Sequence, residues 1–323
     1  MRIEAHVTAA RAALCTLALL LLPQPLAAWG TATHVYLAKR LGHQLGAANI
    51  QEMYGATLPD FPMLMFGSSY QGFLYGQTHY EFMQLVQRAP LGYPKATAYG
   101  FASHNEAWGA DYSAHIEALT LRGAGGYIVR KIPTLKAALY PSVAALLNKR
   151  RIYDPTLADQ LSTTLADTAL EAAVDLRISR KEFPEAGVEM MLASALRGSW
   201  VPSLLVAAFA KDLATYAGIS EADAGSVLVA AEAQSRQYVA TYGAALSQPN
   251  RLELVAGLIA QLAVEVVPQL GDPGATDLVA LIRYSLVRAD DSIRFDYAAE
   301  VEATLEHVRK ELFKRLIFTS LIP

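Results

Sequence analysis

Apolar residues along this chain recur every three or four positions, which is the spacing of one face of an α-helix. In residues 31–45, for example, Val35, Leu37 and Leu41 are spaced for one face, and Gly46 ends the pattern. No run of alternating β-branched residues is long enough to predict a sheet. The pattern therefore predicts an all-α fold, with further helices at about 78–87, 96–121, 135–149, 155–179, 184–196, 202–217, 220–246, 251–270, 275–288 and 297–318.

Prolines and glycines interrupt this pattern at defined places. Pro155, Pro184 and Pro202 fall in the first turns of predicted helices, where a proline sacrifices no helical hydrogen bond. Residues 58–62 contain two prolines around Asp60, which excludes a regular α-helix there. A glycine-rich, aromatic loop is predicted over 63–77, and we find no internal repeat.

The first 28 residues have the layout of a cleavable export signal. Arg2 and Arg11 give a weakly basic start, an apolar run over 12–22 follows, and small residues lead to Ala28. The apolar run is shorter than the roughly 20 residues of a membrane span, and an uncleaved anchor is the alternative. Cleavage after Ala28 predicts an exported protein, periplasmic or extracellular, that begins at Trp29 and keeps no transmembrane segment.

Composition narrows the classes of function. Hydrophobic residues make up 53% of the 323 residues and charged residues 18%, which favours a large helical core. The formal net charge of −3 lacks the basic excess that nucleic-acid binders usually carry. The one cysteine, Cys15, lies inside the predicted export signal, so the exported protein is expected to have no disulfide.

Three ligand-type side chains follow one another along the helix predicted over 96–121. Each residue of a helix advances by about 100°, so Asp111 and His115 each lie roughly 20° from the line of His104. Imidazole and carboxylate are the natural zinc ligands where thiolates are absent, and a carboxylate between two imidazoles can bridge two ions. The stripe predicts a metal site, with a solvated polar face as the alternative. Glu106 falls on the opposite face and is expected in solvent.

Two further pairs of candidate ligands lie outside this helix. Asp60 and His79 flank the aromatic loop, although turn residue and first-turn polar residue are their ordinary roles. Glu171 and Asp175 are four residues apart on one helix face, where two carboxylates repel unless a cation lies between them. Asp167 extends this acidic line by one turn, which fits a cation site and an ordinary solvated face equally well.

Four short segments match a pattern that is specific in combination and weak singly. They are Trp29-Gly30-x-x-Thr33-His34, Pro59-Asp60, Thr78-His79-Tyr80, and Ser103-His104 followed by Asp111 and His115. Together they resemble the zinc-dependent phospholipase C family, which groups with the fungal single-strand nucleases. That family is also similar to the catalytic domain of glycosylphosphatidylinositol-specific phospholipase D. The resemblance covers about residues 29–180 and implies a multi-helix bundle, on which residues 181–323 are expected to pack as a C-terminal helical extension.

The resemblance also implies a site for two to three Zn²⁺ ions. One ion is implied at Trp29 and His34, and a second at Asp60, His79 and His104, with Asp111 bridging the two. Asp60 doubles as the catalytic base. The third ion is implied at His115 with a later pair, for which Glu171 and Asp175 have the spacing.

The chain departs from the family pattern at two places. His104 and Asp111 are seven residues apart where the family has four. No histidine lies between His115 and His307, although the family offers a histidine and an acid four apart for the third ion. The implied third ion therefore depends on carboxylates alone beside His115.

Three functional hypotheses follow. The leading one is a secreted zinc-dependent phosphoric diester hydrolase, in which a metal-held hydroxide attacks the phosphorus of a phospholipid head group. The apolar residues of 61–66 suggest a lip that contacts a membrane surface, and they fit a buried core equally well. A single-strand nuclease or nucleotidase is the alternative, because those nucleases use the five-residue step from Trp29 to His34. A degenerate, non-catalytic module that binds lipid or a partner is the third hypothesis, suggested by the missing histidine.

Overall fold

The computed structural model describes residues 29–42 and 46–315, and these residues form an all-helical bundle. No β-strand occurs in this part of the chain, so the predicted all-α class is confirmed. Short 3-10 helices at Leu58–Leu64 and Pro268–Leu270 and π-helical turns at Tyr112–Ile116 and Ile178–Glu182 connect the α-helices. The α-helices are α1 (Thr31–Leu41), α2 (Ala47–Thr57), α3 (Gln71–His79), α4 (Met83–Arg88), α5 (Tyr93–His104), α6 (Tyr127–Lys149), α7 (Pro155–Arg177), α8 (Ala186–Leu196), α9 (Val201–Ala217), α10 (Glu221–Leu246), α11 (Arg251–Val266), α12 (Thr276–Ile293) and α13 (Tyr297–Lys314).

Local capping signals set several helix ends. The Asp154 carboxylate caps α7 by accepting a hydrogen bond from the Thr156 N–H at 2.9 Å. The Ser220 hydroxyl caps α10 in the same way, accepting from the Asp223 N–H at 3.1 Å. At the other end of a helix, Gly42 terminates α1 in the left-handed conformation, at φ 57°, earlier than the predicted end at 45.

The single helix predicted over 96–121 is wrong, because α5 ends at His104. The Asn105 carboxamide oxygen accepts hydrogen bonds from three successive backbone N–H groups at 2.8–3.2 Å, which turns the chain. A Cβ at Gly109 would lie 2.5 Å from the Asn105 backbone, so this turn requires glycine. Asp111 and His115 therefore follow a loop, and they do not share a helix face with His104.

The loop predicted over 63–77 contains α3, and His79 ends that helix instead of lying at the start of one. Leu74 and Thr78 are completely buried, so packing against the core outweighs the helix-weakening glycines of the segment. The chain turns after Tyr80 and resumes as α4 at Met83. His79 and His104 are consequently each the last residue of a helix.

Two glycines bring α2 and α5 into close contact. A Cβ at Gly55 would lie 2.0 Å from the Thr97 carbonyl oxygen, and one at Gly100 would lie 1.9 Å from the Glu52 carbonyl oxygen. Only glycine permits two helix backbones to approach so closely. The contact places the end of α5, with His104, directly beside the end of α2.

Helices from both halves of the chain share one hydrophobic core. Leu170 on α7, Leu205 on α9 and Leu286 on α12 belong to the same buried cluster. The division at residue 180 stays a prediction.

Across the two described ranges no single helix has the length and apolar composition of a membrane span. Helices α8 and α9 have that length and composition only when they are taken together, as a pair bent by 77°. The predicted export signal and its cleavage point lie outside the described residues.

Candidate metal centre

Four side chains from four segments meet at one buried point. Asp60 lies on the 3-10 helix, His79 and His104 end α3 and α5, and Asp111 follows the glycine-dependent turn. Their ligand atoms all lie within 4.8 Å of one another. The side chains of the two histidines and Asp111 have no exposed surface, whereas that of Asp60 is 27% exposed. The four residues form a group that can hold a metal ion.

Backbone carbonyls orient both central imidazoles. The Nδ1 atom of His104 lies 2.8 Å from the Ala56 carbonyl oxygen, and that of His79 lies 3.2 Å from the Tyr75 carbonyl oxygen. With Nδ1–H donating to these carbonyls, each Nε2 presents its lone pair to the cluster. Hydrogen bonds of this kind, made by the ring nitrogen that faces away from the metal, orient metal-ligating histidines in proteins.

The inward-facing ligand atoms lack hydrogen-bond partners. Four buried atoms have no hydrogen-bond partner: the Nε2 atoms of His34, His79 and His104 and the Oδ2 atom of Asp111. Buried polar atoms are nearly always hydrogen-bonded, so a convergent group of unpaired ones requires an explanation. Bound cations explain it, because metal ions would satisfy these lone pairs.

Asp111 faces two separate groups of donors. Its Oδ2 lies 2.8 Å from His104 Nε2 and 3.7 Å from His79 Nε2. Its Oδ1 lies 3.1 Å from His34 Nε2 and 3.2 Å from the Trp29 main-chain nitrogen. One carboxylate therefore has an oxygen toward each of two potential ion positions, which is the arrangement of a bridging ligand.

Charge balance explains how this cluster tolerates burial. Burial alone raises the pKa of a carboxyl and lowers that of an imidazole. At Asp111 burial is outweighed by the nearby charges of His104 and His34, so its pKa lies well below the usual value. At His104 burial is likewise outweighed by Asp111 and Asp60, so its pKa is raised well above the usual value. The pKa of His34 is lowered by burial and by the neighbouring charge of His104. The cluster thus favours positive charge at its centre.

Trp29 is anchored so that its main-chain nitrogen reaches the cluster. The side chain is completely buried, and its indole Nε1–H donates to the Ser113 hydroxyl oxygen at 2.9 Å. The ring stacks on Tyr127 with a centroid separation of 5.3 Å. Two fixed points on a large rigid side chain hold the Trp29 nitrogen beside Asp111.

Asp175, expected at the third ion, caps α1. Its Oδ2 accepts from the Ala32 N–H at 3.0 Å, and its Oδ1 accepts from the Thr33 N–H and hydroxyl, both at 2.7 Å. A Cβ at Gly30 would lie 2.4 Å from Asp175 Oδ2, which explains the glycine at that position. Asp175 therefore fixes the helix that carries His34.

Glu171, the other residue expected at the third ion, lines a cavity of about 220 Å³. Trp29, Asp60 and Asp175 line the same cavity. Glu171 therefore lies on a wall shared with two residues of the candidate centre.

His115 has a different neighbour from the expected pair. Its Nδ1 lies 2.5 Å from Glu106 Oε1. Its other ring nitrogen, Nε2, is buried and has no hydrogen-bond partner. Glu106, expected in solvent, is only 7% exposed, because the turn after His104 directs it inward. The Tyr75 and Tyr80 hydroxyls also donate to Glu106. Glu106 is thus a positioning residue for His115.

Asp167 is the residue that spacing alone missed. Its side chain is completely buried, and both carboxylate oxygens lack hydrogen-bond partners. Burial raises the pKa of Asp167 to about 7, although the nearby charge of His115 opposes this effect. The acidic line through Asp167, Glu171 and Asp175 was the sequence signal for this residue, and its complete burial without a hydrogen-bond partner distinguishes Asp167 from the other two.

Comparison with known proteins gives no further guide, because no family model, curated protein or solved structure matches the chain.

Proposed function

We propose that this protein is a zinc-dependent phosphodiesterase that hydrolyses phospholipid head groups. The observation that carries the proposal is the set of convergent, buried imidazole nitrogens and carboxylate oxygens without hydrogen-bond partners. Nitrogen and oxygen donors in a largely buried, sulfur-free site suit zinc. Asp111, shared between two donor groups, suits a site with more than one ion.

The residues present would hold the ions in three groups. Asp60, His79 and His104 would hold one ion, with Asp111 shared between it and a second. Trp29 and His34 would complete the ligands of the second ion, and Asp167 and His115 would be ligands of a third. Bound zinc supplies a Lewis acid that lowers the pKa of water and neutralises charge on a phosphoryl group.

Asp60 is the residue of the centre placed to meet water and substrate. Its side chain is partly exposed, whereas those of His79, His104 and Asp111 are completely buried. Asp60 also lines the large cavity, which gives a ligand direct access to it. In this proposal Asp60 accepts a proton from the water that attacks phosphorus in line, while the P–O bond opposite the water breaks and the departing oxygen takes up a proton and leaves as an alcohol.

Lipid is favoured over nucleic acid by the surroundings of Asp60. Met63, Leu64 and Phe66 line the same cavity just beyond it, and the formal net charge is −3. A nucleic-acid strand is usually held by basic and exposed aromatic residues. A single-strand nuclease stays the second candidate, on the five-residue step from Trp29 to His34.

The test combines metal analysis with two substrates. We expect the purified, processed protein to contain zinc and to hydrolyse phosphatidylcholine, with activity lost on chelation. His104→Gln is expected to lose both zinc and activity, whereas His307→Gln, on α13, serves as a matched histidine control. Protein without zinc, or hydrolysis that survives chelation, would overturn the proposal. Hydrolysis of single-stranded DNA but not lipid would replace it with the nuclease.

The role of Trp29 has its own test. We expect one extra residue before Trp29 in the processed protein to lower the zinc content, because its main-chain nitrogen lies only 3.2 Å from Asp111. N-terminal sequencing of the same sample establishes where processing occurs. Unchanged zinc content in the extended protein would contradict a ligand role for the Trp29 nitrogen.

A further inference from the structure

A mostly apolar cavity adjoins the candidate metal centre. It has a volume of about 220 Å³, and its lining includes Trp29 and Asp60 of the centre as well as Leu270 and Ile282. Apolar side chains form most of its wall. Ligand pockets in proteins are typically lined mainly by apolar side chains, with a few polar groups that fix the orientation of the ligand.

One face of α7 follows the length of the cavity. Leu161, Leu165, Thr168 and Asp175 lie on that face at intervals of three to seven residues, and all of them line the cavity. At a rise of 1.5 Å per residue, this face is roughly 21 Å long. Its apolar part is at one end, and its polar part, with Asp175, lies at the end that Trp29 and Gly30 share.

Helices from the C-terminal half complete the wall. Leu262 and Val266 on α11 and Leu281 on α12 line the cavity, and these side chains are only partly buried. Leu161 and Leu165, across the cavity, are partly buried too. Leucines left incompletely covered around one space lose packing that an apolar ligand would restore.

We propose that this cavity binds the hydrocarbon chain of a single-chain lipid, with its head group at the metal centre. Each leaflet of a bilayer has hydrocarbon roughly 15 Å deep, so one such chain plus a head group fits the roughly 21 Å of the α7 face. A cavity of about 150 Å³ holds one benzene molecule, so a volume of about 220 Å³ holds roughly nine carbon groups. That is one chain and not two.

The substrate class that follows is a single-chain phosphodiester, such as a lysophospholipid or an alkylphosphocholine. The head-group part of this inference rests on the proposed function. The chain-binding part does not, because the cavity wall binds hydrocarbon with or without metal. The two parts can therefore be tested separately.

The test is calorimetric titration of the whole processed protein, metal-free and zinc-loaded, with alkylphosphocholines below their micelle concentrations. Across chains of about 4 to 14 carbons, affinity is expected to rise roughly fourfold per methylene until the cavity is full, near nine carbons. Ala263→Trp places an indole in the cavity wall and is expected to move this limit to shorter chains. Leu254→Trp, on the surface of the same helix, is the matched control and is expected to leave the limit unchanged.

Several outcomes are decisive. Affinity that does not depend on chain length, or a limit that is the same in Ala263→Trp and wild type, would overturn the chain site. Leu165→Phe, at the opposite wall, provides the same test if Ala263→Trp fails to fold. Chain-length-dependent binding by a protein that hydrolyses no phosphodiester would keep the chain site and reject the proposed function. Hydrolysis with no chain-length dependence would do the reverse.

Discussion

Asp175→Ala is expected to destabilise the protein even when no metal is bound. The carboxylate holds the first turn of α1 across 143 residues of sequence, through three donors on Ala32 and Thr33. Both of these residues are completely buried, so water cannot replace the lost acceptor. A residue whose only role was to bind the third ion would matter only when that ion is present.

The size of the effect follows from the three donors. A buried donor left without a partner costs at least about 1 kcal/mol, which gives about 3 kcal/mol for the three. Burial raises the pKa of Asp175 to about 6, so the charged carboxylate carries a cost that partly offsets its hydrogen bonds. Asp175→Asn, which keeps the shape without the charge, is therefore expected to lose less than Asp175→Ala.

The assay is urea unfolding of chelator-treated protein at about pH 7.5, where a group with a pKa of about 6 is mostly ionised. Asp154→Ala removes the partly exposed cap of α7 and serves as the control, with an expected loss of about 1 kcal/mol. A free energy of unfolding equal to wild type in Asp175→Ala, together with lower zinc content, would refute the capping role. It would restore Asp175 as a ligand of the third ion.

Three further outcomes are expected. Gly30→Ala should mimic Asp175→Ala in the same unfolding assay, because its Cβ would lie 2.4 Å from the Asp175 carboxylate; wild-type stability would contradict this. Gly109→Ala should lower zinc affinity and cost about 2 kcal/mol of stability, because its Cβ would lie 2.5 Å from backbone atoms; titration calorimetry measures the first effect. The hydrogen bonds from Arg150 hold the pKa of Asp277 well below its usual value. The ion pair therefore stabilises the fold above about pH 4 and less as pH falls toward that lowered pKa. Asp277→Asn should accordingly lower the urea midpoint at neutral pH and have a smaller effect near pH 2.

Residue types predicted the members of the candidate centre better than helical spacing predicted its geometry. Asp60, His79, His104 and Asp111 were all expected as ligands, and the structure brings them together. The reason given for Asp111, a shared helix face with His104, is wrong. The turn at Asn105, and not a continuous helix, brings the Asp111 carboxylate to the His104 imidazole.

The roles of the acidic residues on α7 required the tertiary structure. Sequence placed Asp167, Glu171 and Asp175 on one line, and their spacing gave no means of ranking them. Burial without a partner distinguishes Asp167, whereas three accepted hydrogen bonds distinguish Asp175. Both distinctions depend on residues far away in the sequence, such as His115 and Thr33.

By itself, the sequence determined the helical class, many of the helix ends and the four residues of the candidate centre. Helix caps, prolines and periodic apolar positions act within a few residues, so their effects can be predicted locally. Only the tertiary structure decided which candidate ligands converge, which acid caps α1 and that a cavity lined by several helices adjoins the candidate metal centre. Those features depend on contacts such as Trp29 with Asp111, 82 residues apart, whose partners local spacing does not specify.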